Sequence, residues 1–141
     1  MYEDNCLDLK QVGYDIVEEH VRDLVRVLNE FGIDTASSCE GHVGAETEHV
    51  SCSFPWIAMS LEKNSYIKFI DLMRVLAELP SRDLKPWGLH SRGLWLGNKS
   101  EVFLYLRPFE NNLNRDIGIL KKLQEEAKQL AGWLQTRIPE Q

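Results

Sequence analysis

The sequence predicts an α+β domain, an antiparallel sheet of about four strands with helices packed on one face. Three observations carry this. Apolar residues recur at three- and four-residue spacing in three separate stretches, the mark of amphipathic helices. Between them lie short segments of β-branched and aromatic residues that alternate at period two. The order is helix, strand, strand, helix, strand, strand, helix, which puts the helices on one side of a sheet. With 141 residues, 43% hydrophobic and 27% charged, the chain reads as a single soluble domain over 1–141.

Residues 1–13 show no sustained period and read as an N-terminal arm carrying Cys6. From Tyr14 the pattern becomes helical: Ile16, Val17, Val21, Leu24, Val25, Leu28 and Phe31 line one face, with Glu18, Glu19, Arg22, Asp23, Arg26 and Glu30 opposite. Gly32 follows as the stop. Ile33 to Cys39 is a short strand whose alternation groups Ile33, Thr35, Ser37 and Cys39 on one face. Glu40 to Glu48 is a loop. Val50 to Leu61 is the next strand, with Val50, Cys52, Phe54, Trp56 and Ala58 sharing a face and Ile57 and Met59 on the other.

Asn64 or Ser65 caps a second helix running to Leu79, with Ile67, Ile70, Met73, Leu76 and Ala77 at core spacing and Pro80 beyond its end. Trp87–Leu96 and Glu101–Arg107 form two strands about the turn Gly97-Asn98-Lys99-Ser100; in the second, Val102, Leu104 and Leu106 oppose Phe103 and Tyr105. A last helix opens at Asn112 or Asn114, with Leu113, Ile117, Leu120, Ala127, Leu130, Ala131 and Leu134 as its stripe. This succession suggests a relative of the ferredoxin-like folds.

A net charge of −6 repels phosphate backbones and disfavours nucleic acid as a partner. The odd count of three cysteines, a start without a basic-then-apolar leader and the lack of any run near the roughly 20 residues of a membrane span predict a cytoplasmic protein with reduced thiols.

The chemistry concentrates between residues 34 and 52. Cys39-x-x-His42, six further residues and His49-x-x-Cys52 place two of three cysteines and two of four histidines in one window. Zinc takes four such ligands as two close pairs. Cys39, His42, His49 and Cys52 are therefore candidate metal ligands, although a strand through 49–52 would send His49 and Cys52 to opposite faces. Cys39, His42 and His49 alone would leave an open, catalytic position. A second reading makes 37–42 a strand-end loop for a small molecule. Ser37, Ser38 and Gly41 let a ligand approach the backbone, Asp34, Thr35 and Trp56 complete the surroundings, and Cys39, Glu40 and His42 supply nucleophile, acid and base.

Gly32-Ile33-x-Thr35-x-x-Ser38-Cys39-Glu40-Gly41-His42, followed by Pro55-Trp56-Ile57, resembles a segment that recurs in small bacterial and phage proteins, which implies a shared fold and site but no activity. Ser37-Ser38-Cys39-x-Gly41 is similar to the Ser-Ser-Cys-Ser-Gly-Arg segment of the tRNA wybutosine-synthesising methyltransferases, with His42 where that family carries Arg. This second resemblance implies an S-adenosylmethionine-dependent transferase with Ser37, Ser38 and Cys39 in the pocket. A third class is a protein-interaction module with inert cysteines.

Of the remaining residues, His90 sits in a strand and can face the same site, and His20 flanks the apolar stripe of its helix. Trp56, Trp87 and Trp95 read as core rings, and Arg107 can bind an anion or pair with Glu110. Exposure of Trp133 on the last helix would favour a homodimer.

Overall fold

The computed structural model describes residues 17–42, 54–78, 87–109 and 117–138. Among the described residues the elements are α1 (Glu19–Phe31), β1 (Ser37–Cys39), β2 (Trp56–Ser60), α2 (Tyr66–Leu76), β3 (Trp87–Leu96), β4 (Lys99–Pro108) and α3 (Ile117–Gln135). The four strands form one sheet in the order β1-β2-β4-β3, with every neighbouring pair antiparallel. Read cyclically from β4, the succession is β-α-α-β-β-α-β. That is the ferredoxin-like β-α-β-β-α-β pattern with the chain ends moved into a helical connection.

Period-two alternation in β2 and β4 divides the sheet into two faces. Ile57, Met59, Leu104 and Leu106 meet all three helices in one core, through Val21, Leu24, Leu28 and Phe31 of α1, Phe69, Leu72 and Leu76 of α2, and Ala127, Leu130, Ala131 and Leu134 of α3. Ala58, Phe103 and Tyr105 lie on the opposite face in a small cluster with Ala36, Trp56 and Leu94. Among the described residues no helix covers this second face, and none is long and apolar enough to cross a membrane.

The expectations are corrected in several places. Helix α1 begins at Glu19: Glu18 has extended backbone (φ −56°, ψ 139°), and Arg22 donates from Nε and Nη2 to the Val17 carbonyl, while Tyr14 and Ile16 lie outside the described residues. At its other end Gly32 adopts φ +106°, its N–H bonds Asn29 O at 3.0 Å and Ile33 N bonds Leu28 O at 3.0 Å, as the sequence implies. Only Ser37–Cys39 of the 33–39 stretch pairs as a strand. Parity therefore does not extend back to Ile33, which is fully buried on the helix side while Ser37 stands opposite Ala58 on the other face.

Helix α2 docks on a different face from the predicted one. Phe69, Leu72 and Leu76 are buried, whereas Ile67, Ile70 and Met73 are 67%, 43% and 47% exposed, and Ala77 caps the end in the open. Apolar residues occur all round this helix, so spacing alone cannot choose the side the sheet accepts. Ile117 is exposed as well, while Trp133 is buried, which removes the argument for a homodimer. Trp95 is 74% exposed because it pairs with Ser100 next to the tight turn at Gly97-Asn98, near the tip of a hairpin longer than expected. The positions of Leu79, Glu110, Asn112, Leu113 and Asn114 lie outside the described residues.

Candidate metal centre

Strand β1 ends at Cys39, and the chain then turns through Gly41, whose φ of +87° lies in the region that favours glycine. This turn carries residues 40–42 against the start of α1. The Glu18 carboxylate, which does not cap its own helix, reaches across instead: Oε1 accepts the Glu40 backbone N–H at 2.9 Å and Oε2 lies 3.1 Å from His42 Nε2. The Glu40 carboxylate makes the reverse crossing. Its Oε1 accepts the His20 backbone N–H at 3.1 Å and stands 2.9 Å from His20 Nδ1. From α3, Gln124 Nε2 donates to the Glu40 carbonyl at 2.9 Å. Two elements distant in sequence, the start of α1 and α3, thus hold one short segment, and two of its side chains, Cys39 and His42, face Glu18.

Together Glu18, Cys39 and His42 each offer one ligand atom, and these atoms all lie within 4.8 Å of one another. Glu18 and Cys39 are half-buried and His42 is exposed. Burial pushes the Cys39 thiol up from its ordinary value; the Gly41 N–H, 3.4 Å from Sγ, opposes this, and the charges of Glu18 and Glu40 add to the rise. At Glu40 burial also acts upward, but the backbone and ring of His20 and the charge of His42 outweigh it and hold the carboxyl below its usual range.

The sequence-derived candidates divide. Cys39 and His42 join the cluster, Gly41 shapes its turn, and Glu40 binds it to α1 through His20. Trp56 stands opposite Cys39 in register, Ser37 opposite Ala58 and Ser38 opposite Ile57. Asp34 is exposed and both its backbone groups bond the Asn64 side chain, while Thr35 is buried just before β1. His49 and Cys52 lie outside the described residues. Sequence reasoning missed Glu18, His20 and Gln124. Its one available signal was the acidic Glu18-Glu19 pair at a helix start, a place where carboxylates normally serve the helix itself.

No protein-family model, curated protein or solved structure matches this chain.

Proposed function

We propose that the protein binds a divalent transition-metal ion, with zinc the best fit, through the Glu18 carboxylate, the Cys39 thiolate and the His42 imidazole. The observation that carries this reading is the approach of three different donor atoms to within 4.8 Å across two segments 21 residues or more apart. One sulfur, one nitrogen and one oxygen suit a borderline ion, and a tetrahedral zinc site holds such donors about 3.3–3.7 Å from one another. Rotation of the exposed His42 ring and the Glu18 carboxylate can close that gap. Three protein ligands leave a fourth position for water or a small molecule, the arrangement of catalytic rather than structural zinc.

The raised pKa of Cys39 supports a ligand over a nucleophile. A nucleophilic cysteine needs a lowered pKa from a neighbouring cation or helix N-terminus, and the charges facing this thiol are negative. A bound cation would reverse that balance. Binding therefore releases the thiol proton, and affinity rises with pH.

Cobalt(II) titration of a Cys6→Ser/Cys52→Ser variant tests the proposal, since Cys39 is then the sole thiol. A sulfur-to-cobalt charge-transfer band that zinc abolishes is expected. The band should vanish in Cys39→Ser and require at least about tenfold more metal in Glu18→Gln. Binding that survives Glu18→Gln unchanged, or no binding at all, refutes it.

A further inference from the structure

The second face of the sheet carries a cleft beside the metal cluster, its wall residue Trp56 pairing in register with Cys39. Register places Ser37, Ala58, Tyr105 and His90 in one row across all four strands. At the Tyr105–His90 end of this row opens a cleft of about 520 Å³ lined by Trp56, His90, Ser91, Arg92, Tyr105 and Arg107. Its volume lies in the range of small-molecule pockets. Ala58, fully buried in the middle of the row, packs with Trp56 and Tyr105 beneath this face.

The lining is basic in a protein of net charge −6, and among the described residues it contains no acidic side chain. Arg107 pairs in register with Gly88 and Arg92 with Phe103, so each stands two residues, about 7 Å along the strands, from the central Tyr105–His90 pair. The two guanidinium groups thus approach the cleft from opposite ends. Neither forms an ion pair among the described residues, although surface arginines are readily neutralised by neighbouring carboxylates.

One polar atom of the lining, His90 Nε2, is out of water and lacks a hydrogen-bond partner among the described residues. Native structures rarely leave such atoms without one, and a bound ligand is a regular reason. The Trp56 ring supplies a planar surface, set edge-on to Tyr105 with centroids 5.5 Å apart.

We propose that this cleft binds a small aromatic anion, a planar ring lying against Trp56 with its phosphate or carboxylate held by Arg92 and Arg107. A guanidinium fork suits either group. The chemistry is shared by mononucleotides and by free aromatic carboxylates, and the cleft is sized for one such molecule. Since Phe103 and Tyr105 are buried, the face offers no row of exposed rings on which successive bases of a nucleic-acid strand would stack.

The test is isothermal titration of the full chain, with chelator present and in both wild-type and Glu18→Gln protein, so that failure of the metal site leaves the result interpretable. The probes are the four ribonucleoside monophosphates, benzoate, phthalate and a single-stranded decanucleotide. We expect one of the two small-molecule classes to bind with Kd below about 1 mM. The class that binds identifies the source. Arg92→Gln and Arg107→Gln should each weaken binding about tenfold or more, and thermal melts of these exposed-site variants should match wild type.

Three outcomes overturn the proposal: no small probe binding in that range, equal binding by a folded Arg92→Gln/Arg107→Gln double variant, or binding of the decanucleotide alone. The last would assign the face to a nucleic-acid strand.

Discussion

Replacing Glu40 by alanine perturbs the contact that ties the end of β1 to the start of α1. His20 is the second residue of α1, so its N–H has no partner within the helix, and the Glu40 carboxylate 3.1 Å away serves as a cap brought in from 20 residues downstream. Loss of a helix cap costs about 0.5–2 kcal/mol. The ion pair with His20 Nδ1 adds little, since the two side chains are 38% and 21% exposed and solvent screens them. The expected destabilisation is therefore about 1–2 kcal/mol. Unfolding entropy for a chain of this size is about 0.3 kcal/mol per kelvin, so Tm at pH 7 should fall by about 3–7 °C.

The pH dependence follows from the direction of the Glu40 shift. Its folded pKa lies below the ordinary value of 4.5, so its charge-dependent stabilisation is fully present above that value and is lost as pH falls through the folded pKa. Thermal melts followed by circular dichroism, at pH 7 and at intervals down through the carboxylate range, check both parts. The gap between wild type and Glu40→Ala should narrow as the carboxyl protonates, wild type converging on Glu40→Gln, which keeps an acceptor without the charge and should lie between the two at pH 7. Equal Tm values at pH 7, or a gap that does not change with pH, would refute the reasoning.

Three other perturbations have definite outcomes. Leu130→Ala empties a fully buried position where α3 meets the main core and should cost about 2–5 kcal/mol by urea denaturation, with the slope of the transition unchanged. Gly32→Ala forces a side chain into φ +106° and presses its Cβ on the Lys68 side chain at 3.0 Å, so a loss of about 1–2 kcal/mol is expected in the same assay. In a metal-free Cys6→Ser/Cys52→Ser variant, alkylation of Cys39 should be slow at pH 7 and reach its midpoint above 9.0, the ordinary thiol value. A midpoint below that value would show that the Glu18 and Glu40 charges and burial do not govern this thiol.

Much of the fold is legible in the chain because its signals are local. The alternation of Ile57 and Met59 against Trp56 and Ala58, and of Leu104 and Leu106 against Phe103 and Tyr105, appears in the sheet as the separation of the two faces. Gly32 ends α1 where the periodicity ends, and β3 spans Trp87–Leu96 as patterning alone predicts. Helix α2 is less legible. Ile67, Ile70 and Met73 satisfy helical spacing as well as Phe69, Leu72 and Leu76 do, and the choice between them belongs to the surface the helix meets.

The candidate site divides along the same line. Cys39 and His42 declare themselves by residue type and spacing, because metal and acid–base chemistry draw on few side chains. Glu18 and His20 do not, since carboxylates and histidines at a helix start are ordinary solvated residues until an element more than 15 positions away is folded against them. Residue types and periodicity determined the α+β class and the element order, and pointed to the 39–42 turn, all from interactions within a few residues of one another. Tertiary structure decided that Glu18 meets that turn and that Arg92, His90 and Arg107 share one open face with Trp56. These juxtapositions depend on strand order and register, which are set by how three helices bury their apolar faces on a single sheet, a global packing condition that no local stretch of sequence contains.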